Sequence, residues 1–287
     1  MTDFLGLPVF KRMYGFGDTA TLRSRSVIAF LGGADARAIV GAVPAHRLLQ
    51  PIPGAPLVLM QSGFTSATDN GDPDENDHRY HEVMLAAIVA GVGTPVPALF
   101  PLILFVDDLV AMTSGREFYG FPKVPAEVSL EHGRAHVRYT SFPRGERRIT
   151  EVLRSSWNPE PGILSRAVSG AVDFIADTVR AAGVDDDTID LVSGIMLAPA
   201  GQILNIRQLP DLRNPRQAAL TQLTRFSPRL LDPTVATIVS DFELELPDEP
   251  IWSLGKRFFR GEKPRTLAAF DWSVTMKVTT GEVLESW

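Results

Sequence analysis

The feature that most constrains this fold is a long stretch without charge. Residues 83–106 carry no charged side chain, and such a run is long enough to suggest a membrane-spanning segment. Proline and glycine favour turns over a continuous helix, and this stretch contains both, at Gly91, Gly93, Pro95, Pro97 and Pro101. We therefore predict two buried strands joined by a turn. The second covers residues 100–106 and ends at the acidic pair Asp107 and Asp108.

Most of the remaining chain alternates apolar and polar side chains over short runs separated by turn residues, which is typical of antiparallel strands. We predict strands at 21–31, 56–64, 126–130, 134–140, 147–153, 201–209, 216–223, 235–246 and 267–278. Asp35 is placed to cap a short helix that ends near Val43. The longest predicted helix covers 159–182, because its apolar residues form one stripe. Residues 65–77 are predicted to be an exposed acidic loop, and 252–259 an exposed connector.

Composition limits the classes of partner. The 287 residues carry a formal net charge of −6, which argues against nucleic acid or an anionic membrane as a partner. The chain has no cysteine, which excludes disulfides and thiol catalysis. Its first residues lack the basic start and apolar core of a secretory signal. We expect one domain over 1–287, in a cytoplasmic homo-oligomer.

The segment 114–126 presents a single lysine in a stiff, apolar setting. Lys123 lies between Pro122 and Pro125, which restrict the backbone on either side. Phe121 and Val124 flank it with apolar side chains. Burial disfavours the charged form of an amine, and a neutral lysine is a nucleophile toward carbonyl groups. This loop is therefore the candidate catalytic segment.

The motif Gly115-Arg-Glu-x-x-Gly-Phe-Pro-Lys123 resembles the signature of the acetoacetate decarboxylase family. In that family the lysine after Phe/Tyr-Pro forms a Schiff base with a keto substrate, so the resemblance implies this role for Lys123. Two positions depart from the family pattern. Val124 stands where the decarboxylases usually have a second lysine, and Gln61 falls where they have a glutamate.

The same resemblance, strongest over residues 15–250, implies further site residues. Glu82 and Tyr80 match a Tyr-x-Glu element whose glutamate lines the pocket, and Arg25 falls at an active-site arginine. A glutamate in so apolar a segment needs a partner, and Arg25 is the predicted one. Gln61, Tyr80, Phe121 and Val124 would line the substrate pocket. The predicted supports of the lysine loop are Arg116, Glu117, Gly120 and Pro122.

The implied fold is α+β and mainly antiparallel, with a cone-shaped β-barrel-like core and flanking helices. The implied activity is carbon–carbon lyase chemistry, decarboxylation of a β-keto acid such as acetoacetate through an iminium on Lys123. The iminium is the electron sink, so no cofactor is expected. His78 and His81 have weak metal-ligand spacing, and no metal is expected either. Two alternatives stay open: an aldolase or dehydratase that uses the same iminium on a pyruvate-like keto acid, and a barrel that binds small acids without turnover.

Overall fold

The part of the chain described by the computed structural model comprises residues 20–67, 79–93, 97–142, 145–158, 202–210, 218–231, 235–248, 253–278 and 281–287. The predicted helix at 159–182 and most of the predicted loop at 65–77 lie outside these residues. Within them, no helix has the length and apolar character needed to cross a membrane.

A large sheet dominates the described residues and contains eleven of their strands. These strands are β1 Ala20–Gly32, β2 Leu57–Ala67, β3 Arg79–Val89, β4 Ala98–Val106, β5 Lys123–Pro125, β9 Ile203–Pro210, β10 Ala218–Phe226, β11 Arg229–Leu230, β12 Val235–Ile238, β14 Arg265–Val278 and β15 Glu282–Ser286. The main path of the sheet runs β11-β14-β1-β2-β3-β4-β9-β10-β15; β12 also pairs with β14, and β5 pairs with β4. The strands are antiparallel except where β4 meets β5 and β9.

A smaller antiparallel sheet packs against one face of the large sheet. It consists of β6 Glu127–Glu131, β7 Arg134–Ser141, β8 Arg148–Asn158 and β13 Ser240–Glu245, in the order β13-β8-β7-β6. The main apolar core lies between the two layers, where Leu59 and Val83 of the large sheet share one cluster with Val137 and Leu153 of the small sheet. Burial of such side chains is the dominant favourable term in folding.

The central strands of the large sheet are buried on both faces. Successive side chains of a strand point to opposite faces. In β1, Val27 and Ala29 join the core between the sheets, whereas Ile28 and Phe30 join a second cluster on the other face. Strands covered on both faces are apolar throughout, which explains the uncharged run at 83–106. Its predicted division into two strands is confirmed by β3 and β4.

Among the described residues, three short α-helices flank the sheets. Helix α1 (Ala36–Ala42) begins at the predicted cap, because Asp35 accepts a hydrogen bond from the Arg37 N–H at 2.9 Å. Helix α2 (Leu109–Ser114) is capped by Asp108, which accepts from the Ala111 N–H at 2.6 Å, and continues into a π-helical turn at Gly115–Tyr119.

Helix α3 (Leu254–Phe259) replaces the connector predicted at 252–259. That prediction was wrong, since Phe258 and Phe259 are almost completely buried. A helical turn gathers these rings and Leu254 on one face, which packs into the main core.

The fold class is confirmed as mainly antiparallel β with flanking helices. The strand path is not closed into a barrel among the described strands. It nevertheless encloses a space: one face of β14, β1, β2, β3, β4, β9 and β10 lines a single cavity, so the sheet must curve around it.

Candidate active site

Lys123 enters the cavity from β5, a three-residue strand held against β4. Its register partner is Leu104, and the N–H of Leu104 donates to the carbonyl of Pro122 at 3.2 Å. The Lys123 side chain is only 7% exposed. The turn before it is specified by Gly120, with φ 75°, where a Cβ would lie 2.8 Å from the backbone nitrogen of Arg207. Only glycine combines that conformation with so close an approach.

Glu82 is the direct partner of the amine. It lies on β3, one strand beyond β4, and its register partner there is Val106. Lys123 Nζ donates to Glu82 Oε1, and the Glu82 side chain is 12% exposed. Burial raises the pKa of the Glu82 carboxyl, and the nearby charges of Asp107 and Asp108 raise it further, while Lys123 acts in the opposite direction. Glu82 is therefore a carboxyl group suited to holding and releasing a proton.

Aromatic rings surround the amine. Lys123 Nζ lies 5.9 Å from the centroid of the Tyr80 ring and 5.6 Å from that of Phe121, within the range of a cation–π contact. Tyr80 stacks on Phe64 at 4.9 Å, and Phe121 packs edge-on against Phe226 at 5.6 Å. The two rings contribute to the burial of the Lys123 side chain.

The cavity around the pair has a volume of about 180 Å³ and mainly apolar walls. Three serine hydroxyls on β1 and β2 bond to one another: Ser24 Oγ is 2.9 Å from Ser26 Oγ, which is 2.7 Å from Ser62 Oγ. Lys123 is the only lysine or arginine among the described residues that line this space. The same residues contain no cluster of three or more potential metal ligands.

Gly115, in the π-helical turn, lies directly against the lysine. A Cβ at this position would be 2.6 Å from Lys123 Cδ and 2.9 Å from Nζ, closer than non-bonded atoms approach. The missing side chain of Gly115 therefore makes room for the Lys123 side chain. π-Helical turns occur frequently at functional sites.

The structure does not bring Arg25 to this pair, and the predicted Arg25–Glu82 contact is wrong. Arg25 points to the opposite face of β1, is 62% exposed, and pairs with Asp271 at 2.7 Å. The cause is strand alternation: Ser24 and Ser26 face the cavity, so Arg25 between them must face outward.

Gln61 and Val124 also lie outside the cavity, contrary to the prediction. Gln61 is buried on the other face of β2, where its Oε1 accepts from Ser155 Oγ at 2.9 Å. Val124 packs against the main core between the sheets. Each is adjacent in sequence to a cavity residue, Ser62 or Lys123, and alternation places it on the reverse face. Tyr80 and Phe121 do line the cavity as predicted.

The four predicted supports of the loop contribute unequally. Gly120 and Pro122 hold the turn through the contacts described above. Arg116 and Glu117 are exposed, and no ion pair joins them among the described residues. Instead, the carbonyl of Glu117 accepts a hydrogen bond from Arg207 Nη1 at 3.1 Å. Their support is therefore through the backbone.

Sequence reasoning missed three features of the site: the contact of Gly115 with the amine, the serine row, and the acidic pair that acts on Glu82. The serines had a signal, because Ser24 and Ser26 alternate with Arg23 and Arg25. The close approach of Gly115 had none, since it depends on how the turn packs on β5.

Comparison with solved structures identifies the fold of this curved antiparallel sheet as acetoacetate decarboxylase-like. Residues 37–168 match the family model described as acetoacetate decarboxylase (ADC), so the resemblance inferred from the lysine motif is confirmed. A search of curated proteins gave no significant match.

Solved structures with this fold cover nearly the whole chain. An acetoacetate decarboxylase from Legionella pneumophila has a TM-score of 0.61 at 11% identity, covering 100% of this chain and 99% of that one. An acetoacetate decarboxylase-like enzyme from Sphingomonas wittichii gives 0.58 at 15%, covering 100% and 99%. The enduracididine biosynthesis enzyme MppR, complexed with pyruvate, gives 0.61 at 11%, covering 97% and 95%. At these identities the similarity establishes the fold alone.

Proposed function

We propose that this protein is a Schiff-base enzyme that decarboxylates a β-keto acid, with Lys123 as nucleophile and Glu82 as the group that moves protons. One observation carries the proposal: a buried amine hydrogen-bonded to a nearly buried carboxyl, inside a cavity with mainly apolar walls. A lysine in a hydrophobic pocket is activated for attack on carbonyl carbon.

The proposed reaction begins when Glu82 takes a proton from Lys123 and leaves a free amine. The amine attacks the ketone carbon, and the resulting carbinolamine loses water to give an iminium. The bond between the α-carbon and the carboxylate then breaks, carbon dioxide leaves, and the electron pair moves to the iminium nitrogen as an enamine forms. A proton returns to the α-carbon, and water releases the ketone and the amine. The raised pKa of Glu82 suits a group that both accepts and returns this proton.

The charge balance of the cavity favours decarboxylation over a reaction that retains the carboxylate. Among the described lining residues only Lys123 is cationic, and its charge is needed at the iminium. A carboxylate without a further cation is poorly stabilised in an apolar site. Loss of carbon dioxide removes that charge, whereas in aldol or dehydration chemistry on a pyruvate-like acid the carboxylate remains to the end.

The aldolase or dehydratase alternative is supported by one comparison. Two neighbours with this fold are MppR complexed with pyruvate and MppR complexed with the condensation product of pyruvate and imidazole 4-carboxaldehyde. The same iminium on Lys123 could serve a condensation of that kind. Product analysis separates the two reactions, because one releases carbon dioxide and the other forms a carbon–carbon bond or eliminates water.

Borohydride trapping tests the proposal. Wild-type protein incubated with acetoacetate or pyruvate and then reduced should gain the mass of the reduced ligand at Lys123 alone. Lys123→Arg should abolish trapping, since a guanidinium stays charged and cannot form an imine. Lys256→Arg, which changes an exposed lysine, is the matched control and should trap as wild type does. If a broad panel of keto acids leaves no adduct at Lys123, the Schiff-base proposal fails and the binding-protein alternative stands.

A further inference from the structure

We infer that the substrate is a keto acid with an extended uncharged tail, alkyl or aromatic, rather than a short acid such as acetoacetate or one with a second carboxylate. This inference rests on the proposed function for its reactive end. Its evidence is separate, and comes from the part of the cavity that lies beyond the amine.

The cavity extends far from the reacting pair. A continuous register row joins Glu82 on β3 to Ser62 on β2, Ser26 on β1 and Trp272 on β14, and all four line the cavity. Neighbouring strands are about 4.8 Å apart, so this row of lining residues covers three strand spacings, roughly 14 Å measured along the curved wall. The lining therefore continues beyond the Lys123–Glu82 pair toward β14.

The far side of the cavity is apolar. Val274, Met276 and Val278 of β14 project into it together with Leu22 of β1. Leu22 and Met276 are register partners, so they form a continuous wall. An alkyl chain or aromatic ring loses its contact with water there, and this burial stabilises binding.

The serine hydroxyls of the cavity wall hydrogen-bond to one another. The Ser24, Ser26 and Ser62 hydroxyls form a hydrogen-bonded row and are nearly inaccessible to solvent. Covering hydrogen-bonded hydroxyls with an apolar ligand costs little desolvation free energy, whereas covering hydroxyls without a hydrogen-bond partner costs much more. The row therefore lets a tail pass from the amine toward β14.

Among the described residues that line the cavity, Lys123 is the only lysine or arginine, so none of the others offers a partner to a charged tail. Two arginines of the surrounding strands have partners elsewhere: Arg25 pairs with Asp271 on the outer face, and Arg207 of β9 binds Gln222 at 2.8 Å. A terminal carboxylate would be desolvated beside Val274 and Met276 without a described cation near it.

Secondary alcohols test the tail without the Schiff base, because they cannot form an iminium. Calorimetry on the wild-type protein would use a series of alkan-2-ols that lengthens one methylene at a time. We expect each methylene to tighten binding about three- to fourfold until the cavity is filled. An alcohol of equal length with a terminal carboxylate should bind at least about tenfold more weakly. Affinity that does not change with chain length, or tighter binding of the charged alcohol, would overturn the inference.

Met276→Arg places a cation at the far wall and should reverse the preference, weakening the long alcohol and improving the charged one. Ser240→Arg adds the same charge at an exposed position of β13 and should leave both affinities unchanged. If Met276→Arg fails to fold, the alkan-2-ol series on the wild-type protein still tests the inference.

The outcome is separable from that of the proposed function. Rising affinity along the alcohol series with no borohydride adduct at Lys123 would support the tail site and defeat the Schiff-base proposal. Equal trapping of short and long keto acids, with alcohol affinities that do not change with chain length, would support the Schiff-base proposal and defeat the tail site.

Discussion

At the scale of single residues, Glu82 is a carboxyl group in an environment very different from water. Its carboxyl is nearly buried, bonded to Lys123 and close to the charges of Asp107 and Asp108. Burial raises its pKa, so the folded protein holds the Glu82 proton more tightly than the unfolded chain does. Function and stability are therefore linked through one carboxyl group.

This linkage predicts how Glu82→Gln changes the pH dependence of stability. Well below the ordinary glutamate pKa of about 4.3, the carboxyl is protonated in both the folded and the unfolded state, so it adds nothing to the pH dependence of stability. As the pH rises, the unfolded chain ionises first, so wild-type stability falls between that value and the raised folded pKa. Glutamine does not titrate, so the variant should gain stability relative to wild type from pH 4 toward neutrality.

Denaturant unfolding at several pH values would measure this difference. Glu131→Gln removes one negative charge at an exposed position of β6 and controls for the change in net charge. Parallel stability curves for wild type and Glu82→Gln would show that the carboxyl is solvated.

At the scale of elements, the π-helical turn and β5 together position the amine of Lys123. The turn brings Gly115 against the Lys123 side chain, and Gly120 lets the chain reverse over Arg207 before β5 pairs with β4. The position of the amine depends on the absence of a side chain at Gly115, because the Lys123 side chain occupies the space that a Cβ would need.

Gly115→Ala should therefore impair chemistry more than folding. The methyl group would collide with the flexible end of Lys123, which can move aside, so the cost of overpacking stays near the lower limit of about 1–3 kcal/mol. The displaced amine should form the borohydride-trapped adduct roughly 100-fold more slowly, as misplacement by about 1 Å can cost that much.

Gly41→Ala is the matched control, since a Cβ at Gly41 meets nothing within 4 Å. This substitution should stabilise helix α1 by about 0.5–1 kcal/mol, because alanine has a higher helix propensity than glycine. Trapping of Gly115→Ala at the wild-type rate would show that the turn does not hold the amine in place.

At the scale of the whole molecule, the large sheet separates two environments. One face surrounds the candidate site, and the other packs against the small sheet or, as at Arg25, meets solvent. A residue adjacent in sequence to a site residue is therefore a poor candidate for the same site.

Arg25→Gln tests this division. The ion pair with Asp271 is partly exposed, so its loss should cost no more than about 1 kcal/mol of unfolding free energy. Trapping at Lys123 should proceed at the wild-type rate, because no Arg25 atom lines the cavity. A large loss of trapping, with stability retained, would show that Arg25 contributes to the active site and would contradict this division.

The sequence by itself determined the strand-rich class, the two buried strands at 83–106 and the lysine motif, because alternation, apolar runs and turn residues are local signals. The resemblance to the acetoacetate decarboxylase family also indicated Glu82, and the apolar segment around it indicated that its carboxyl requires a partner. The identity of that partner, Lys123 rather than Arg25, was decided only by the tertiary structure. Strand register and the face to which each side chain points depend on pairing across the sheet. A shift of one residue exchanges the two faces, and so Arg25, Gln61 and Val124 lie outside the cavity while the serines and Trp272 lie within it.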